Sequence, residues 1–124
     1  MMNVVYVFLG GGIGSFARYG MQGIVYRWLG TDFPYGTLLV NVLGSFFIGF
    51  LMTMFEERFL LNPSLRIFLT IGLLGGFTTF SSFSYETVMM LKDAEYWNAA
   101  MNVSLNVFVC ISATYAGVFT GKLI

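Results

Sequence analysis

Runs of apolar residues, cut by short clusters of charges and turn formers, divide the chain into four long segments: about Asn3 to Tyr26, Tyr35 to Phe55, Leu65 to Leu91 and Trp97 to Thr120. A helix needs roughly 20 mostly apolar residues to cross a bilayer, so the pattern predicts four transmembrane helices. Their connections are short. Arg27 to Pro34 carries Gly30, Asp32 and Pro34; Glu56 to Ser64 carries Glu56, Glu57, Arg58 and an Asn62-Pro63 turn; Lys92 to Tyr96 carries Lys92, Asp93 and Glu95. Links this brief make neighbouring helices antiparallel and bring both termini to one side of the membrane. The expectation is an all-α membrane protein whose residues 1–124 form a single four-helix transmembrane domain embedded in the lipid bilayer.

Composition closes off most other classes. With 57% hydrophobic residues and six Lys or Arg against six Asp or Glu, the chain is too apolar for a soluble domain. It has no histidine and one cysteine, Cys110, so an intramolecular disulfide is impossible and a Cys/His metal site is not expected. A net charge of zero without a basic block argues against nucleic acid as a partner. The opening Met1-Met2-Asn3-Val4-Val5-Tyr6 lacks the basic leader of a secretory signal, so the first apolar segment is expected to be retained.

Orientation normally follows from an excess of Lys and Arg on the cytoplasmic side. Here Arg58, Arg66 and Lys122 lie on the side of the termini, Arg27 and Lys92 lie on the other, and Arg18 makes the balance three against three. A chain with so little bias is expected to insert both ways and to pair with an inverted copy of itself.

The polar residues within the spans carry the chemistry. From Thr78 to Ser84, five of seven residues bear hydroxyls and the other two are Phe80 and Phe83. Preceded by Gly75-Gly76, this stretch is a poor continuous helix, so the third helix is expected to be broken in mid-membrane. Irregular backbone at that depth must be buried in protein or line a watery cavity, which marks an ion path or a binding site. Phe77, Phe80 and Phe83 recur every three residues, as along one side of a helical turn. A ring has a positive edge and a negative face, so the aromatics leave the sign of the ion open. In the fourth helix Asn98, Asn102, Asn106, Cys110 and Thr114 repeat every four residues and form a stripe of hydrogen-bond donors, while Thr37 and Asn41 are placed to point inward from the second. Glu86 and Arg18 are the charges set deepest in the spans, Arg18 near the far end of the first helix, and both suit a vestibule.

Three stretches together carry a resemblance: Gly14-Ser15-Phe16-Ala17-Arg18, Gly36-Thr37-Leu38-Leu39-Val40-Asn41, and Gly75-Gly76-Phe77-Thr78-Thr79-Phe80-Ser81-Ser82-Phe83-Ser84-Tyr85-Glu86-Thr87. In these the chain resembles the Fluc (CrcB) fluoride channels over essentially its whole length, with the fourth helix matching only as a polar stripe. The resemblance implies a dual-topology antiparallel homodimer with two pores that passively exports fluoride across the bacterial inner membrane. It further implies that Phe80 and Phe83 line the fluoride path with their ring edges and that Asn41 is the pore asparagine. The backbone carbonyls of Gly75 and Thr78 are expected to hold a structural sodium ion with their counterparts from the second copy, and Arg18 and Glu86 are expected to stand near the pore ends. Ser81, Thr37 and Asn106 complete the candidate pore. The alternative reading is a small multidrug-type antiporter exchanging protons for cationic compounds, but the first helix lacks the embedded carboxylate that such a protein needs. An enzyme is not expected, because a lone intramembrane carboxylate without histidine offers no acid-base pair.

Overall fold

The computed structural model describes residues 2–57 and 62–124; Arg58, counted in the charge balance above, lies outside the described residues. Among the described residues all regular structure is helical. The first helix runs from Met2–Leu29 and stops at Gly30, whose φ of +83° and N–H bond to the Tyr26 carbonyl form a glycine-ended terminus. The second, Tyr35–Glu57, starts directly after Pro34, whose carbonyl accepts the N–H of Leu38. Asn62 caps the third span by accepting the Ser64 N–H, with Pro63 in the first helical position, where its missing N–H costs nothing.

The third span, Pro63–Lys92, is not one helix. It passes from an α-helical start through a π-helical stretch, Phe68–Leu74, and a last turn, Gly75–Phe77, to two extended residues before a new helix, Phe80–Lys92. The fourth span, Tyr96–Leu123, is continuous but contains a π-helical stretch at Leu105–Val109. Residues four apart on an α-helix drift by about 40° per step, and a π stretch, with more residues per turn, offsets that drift. Asn106 and Cys110 thereby line one cavity.

Three helices, Tyr35–Glu57, Pro63–Lys92 and Tyr96–Leu123, are long and apolar enough to cross a membrane, which makes the chain a multi-pass membrane protein. The first helix has 28 residues, ample length, but its six glycines and its arginines at 18 and 27 dilute its apolar content. Burial is arranged as the bilayer requires. Phe8, Phe16, Trp28, Phe108 and Tyr115 point outward, while Thr37, Val40 and Asn102 are completely buried.

Without a hydrophobic drive between helices in lipid, close backbone contact must hold the bundle. The first helix lies against residues 68–77: a Cβ added at Gly10 would come within 2.6 Å of the Phe68 carbonyl oxygen, and one at Gly76 within 2.6 Å of that of Gly11. A second seam joins the second helix to the last half of the fourth, where Gly49 faces the Thr114 carbonyl and Gly117 faces that of Phe46. Gly14 meets the Leu73 carbonyl, whereas Gly12 has open space beside it. Gly14→Ala should therefore destabilise the purified protein by about 1–3 kcal/mol through the forced backbone shift. Gly12→Ala should be neutral or stabilising by up to about 1 kcal/mol through the unfolded chain and helix propensity, and thermal unfolding in detergent distinguishes the two.

Candidate functional site

The break consists of Thr78 (φ −92°, ψ 159°) and Thr79 (φ −151°, ψ 117°), both extended, as β-branched residues favour. One side chain holds it. Asn41 accepts the Thr79 N–H on Oδ1 at 2.8 Å and donates from Nδ2 to the Thr79 carbonyl at 3.0 Å, pairing with both backbone groups of that residue as a neighbouring strand would. Thr79 in turn caps the following helix, its Oγ1 accepting the Ser82 N–H at 3.1 Å. Gly44 makes room for the Thr78 methyl group, which a Cβ at that position would strike.

These bonds decide which carbonyls are left over. In an unbroken helix the oxygen of Gly75 would accept the N–H of Thr79, and that of Thr78 the N–H of Ser82. Both donors are diverted, the first to Asn41 and the second to the Thr79 hydroxyl. The Gly76 oxygen is taken by Arg18, whose Nε donates to it at 3.0 Å, and the Thr79 oxygen by Asn41. Gly75 and Thr78, the two positions expected to offer carbonyls to a cation, are thus among those whose helical donors are spent elsewhere.

Phe80 and Phe83 meet edge to face, with ring centroids 5.3 Å apart. Their surroundings differ: Phe83 is buried, whereas 76% of Phe80 is exposed. The three-residue spacing from Phe77 does not make a stripe of three, because the extended residues separate Phe77 from the other two. Phe83 is anchored from behind. Its carbonyl accepts the Thr87 hydroxyl at 2.8 Å, and that hydroxyl accepts Asn102 Nδ2 at 3.0 Å. Asn106 donates to the carbonyl and side-chain oxygens of Asn102 at 2.9 and 3.1 Å and accepts Asn41 Nδ2 at 3.0 Å. The fourth-helix amides therefore connect the break to the helix beyond it, and the Nδ2 groups of Asn41 and Asn106 are each bonded twice within the protein.

A cavity of about 520 Å³ opens at this junction, lined among others by Asn41, Gly75, Thr78, Phe80, Phe83 and Asn106. Ser81, expected in the pore, is not among the residues lining this cavity; it is exposed, with its hydroxyl 3.3 Å from that of Thr79. Thr37 and Glu86 belong to a different cluster: Gln22 Nε2 donates to Thr37 Oγ1 at 3.2 Å, and Thr37 donates to Glu86 Oε2 at 3.1 Å. The other carboxylate oxygen, Oε1, is buried and accepts no hydrogen bond in the structure. Arg18, expected near the far end of its helix, instead reaches sideways to the break.

The sequence model of the CrcB-like protein, Camphor Resistance (CrcB), family matches residues 5–118. The chain belongs to this family. It is 48% identical over 122 residues to a protein of Geobacter metallireducens named fluoride-specific ion channel FluC, covering 98% of both chains. A protein of the same name from Coxiella burnetii is 47% identical over 98% of both chains, and one from Magnetococcus marinus is 43% identical over 99% of this chain and all of its own. These CrcB-like relatives are named as ion channels and not as enzymes or antiporters.

Within this CrcB-like chain, Gln22 and Thr87 join the hydrogen-bond networks without standing among the residues expected from the sequence. Gln22 is the only glutamine in the chain and lies in an otherwise apolar turn, a signal that was available. Thr87 follows Glu86 at the end of the hydroxyl run and has no such mark. The break itself is open to direct test. Asn41→Leu leaves two backbone groups of Thr79 unmatched, at about 1–3 kcal/mol each, so amide exchange at Thr79 should accelerate at least about tenfold in mass-spectrometric or NMR measurements. Asn41→Asp keeps the acceptor for the Thr79 N–H but sets a carboxylate against the Thr79 carbonyl, and should rescue little of that protection.

Proposed function

We propose that this chain is a fluoride-specific ion channel, passively carrying fluoride through pores formed when two inverted copies pair. The observation that carries the reading is the helix break, which presents opposite helix ends to one cavity. Residues 63–77 end there with carbonyls outward, and the 13-residue helix Phe80–Lys92 begins there with its N–H groups. A helix N-terminus carries about half a positive charge, which favours an anion beside Phe80 and Ser81 and supports that sign where the aromatic rings leave it open.

Fluoride holds its water tightly, so a path must replace that shell with closely spaced donors that do not trap the ion. The exposed Phe80 ring, edge-on to Phe83, is free to serve, and the exposed Ser81 hydroxyl can exchange its bond to Thr79 for one to the ion. Asn41 and Asn106, with their Nδ2 groups already bonded, act by holding those donors in place. Thr37 and Glu86 form a further polar station, whose open carboxylate oxygen suits a hydrogen-bond donor such as water.

The free carbonyls of Gly75 and Thr78 are hard oxygen donors at the negative end of a helix, and they fit sodium. One chain supplies two such oxygens, fewer than a sodium ion takes, and an inverted copy brought against the same cavity face would add two more. Sodium so held would supply a fixed positive charge joining the two copies. The balanced charge distribution supports insertion in both orientations, and the glycine-packed first helix is read as the fourth span of one transmembrane unit. The setting is the bacterial inner membrane, where passive export lowers cytoplasmic fluoride toxicity.

Liposomes containing only the purified protein test the reading. They should release fluoride and retain chloride, and a cationic dye should not move under a proton gradient; proton-coupled dye transport without fluoride release would contradict it. Replacing Phe80 with Ile removes the ring edge while keeping apolar bulk, and should lower fluoride release by about tenfold or more in a folded dimer. Phe77→Ile, on the other side of the break, should retain most of it.

A further inference from the structure

Arg18 is the one feature of this region that neither the aromatic path nor the asparagine network accounts for. It extends a stripe of four-residue spacing along the first helix, Gly10, Gly14 and Arg18. The two glycines press that helix against the backbone at Phe68, Gly72 and Leu73, and the third position meets Gly76 through the guanidinium. The close packing lets Arg18 reach a main-chain oxygen with Nε, a donor set within its stem, and the bond is partly buried at 3.0 Å. A charged side chain within a membrane protein is costly and needs such a partner.

We propose that Arg18 is a positioning residue that selects which carbonyls of the break remain available to a cation. The break diverts the helical donors of Gly75 and Thr78. Of the two oxygens lying between them in sequence, that of Gly76 is occupied by Arg18. Fixing that peptide group sets the planes of its neighbours, so the Gly75 and Thr78 oxygens are held in a defined relation and the Gly76 oxygen is withdrawn from competition. The inference rests on the sodium reading above.

The sign of the effect separates this role from simple electrostatics. A positive charge near a cation site weakens cation binding, so if Arg18 acted only through its charge, removing it would tighten sodium binding. If it acts through the bond to Gly76, removing the donor loosens sodium binding despite the lost repulsion. Arg18→Met keeps the length of the stem without a donor; Arg18→Gln keeps a neutral donor without the charge.

The measurement is the thermal unfolding midpoint of the purified protein in detergent as sodium chloride replaces N-methylglucamine chloride at constant ionic strength. Wild-type protein should be stabilised saturably by sodium. Arg18→Met should need about tenfold more sodium for half the effect, whereas Arg18→Gln should stay within about threefold of wild type. Unchanged or tighter sodium response in Arg18→Met overturns the inference, as does an Arg18→Gln protein that responds as poorly as Arg18→Met or does not fold. If Arg18→Met does not fold, Arg18→Gln alone decides on the same threefold and tenfold limits. A wild-type protein indifferent to sodium would instead refute the sodium reading itself, while fluoride release from liposomes would still report on the channel.

Discussion

The double hydrogen bond from Asn41 to Thr79 is the interaction on which the rest of the structure depends. A membrane-embedded backbone cannot leave its polar groups unmatched, so a helix can be interrupted only where something else pairs with them. A side-chain amide offers a donor and an acceptor at the spacing of a peptide group, and Asn41 uses both on one residue. Its remaining N–H goes to Asn106, which ties the break to the fourth span. Once Thr79 is held extended, its hydroxyl is free to cap the next helix, and that cap directs the start of Phe80–Lys92 toward the cavity.

From this one constraint the two charge preferences of the site follow together. Breaking a helix creates a carbonyl-rich end and an amide-rich end a few residues apart. The proposed hard cation at Gly75 and Thr78 would lie at the first, and the proposed anion beside Phe80 at the second. An unbroken helix offers neither at mid-length, since every backbone dipole there is cancelled by its successor. The buried asparagines contribute rigidity: Asn102 and Asn106 pass hydrogen bonds from Asn41 to Thr87 and so to the carbonyl of Phe83.

Much of this was legible in the sequence because the bilayer makes hydropathy decisive. The segment limits drawn from charges and turn formers fall within a few residues of the helices, and the Gly75-Gly76 pair followed by five hydroxyls in seven residues marked the interruption. What stayed hidden depends on tertiary contact. The π stretches at Phe68–Leu74 and Leu105–Val109 have no residue propensity to announce them. Phe77, Phe80 and Phe83 looked like a stripe because the counting assumed a helix through Thr78 and Thr79. Distance along the first helix sets Arg18 toward one interface, but a long side chain is placed by its tip, and tertiary contact brings Nε to the Gly76 carbonyl.

In the proposed channel each chain carries half of a site that an inverted copy completes. This pairing is tested most directly by forcing orientation: two or three lysines added to the Lys92–Tyr96 connection bias insertion one way, and a matching addition beside Ser64 biases it the other. Each biased protein alone should release no fluoride from vesicles, and the two expressed together should restore release. Fluoride release from a population in a single orientation would contradict the account.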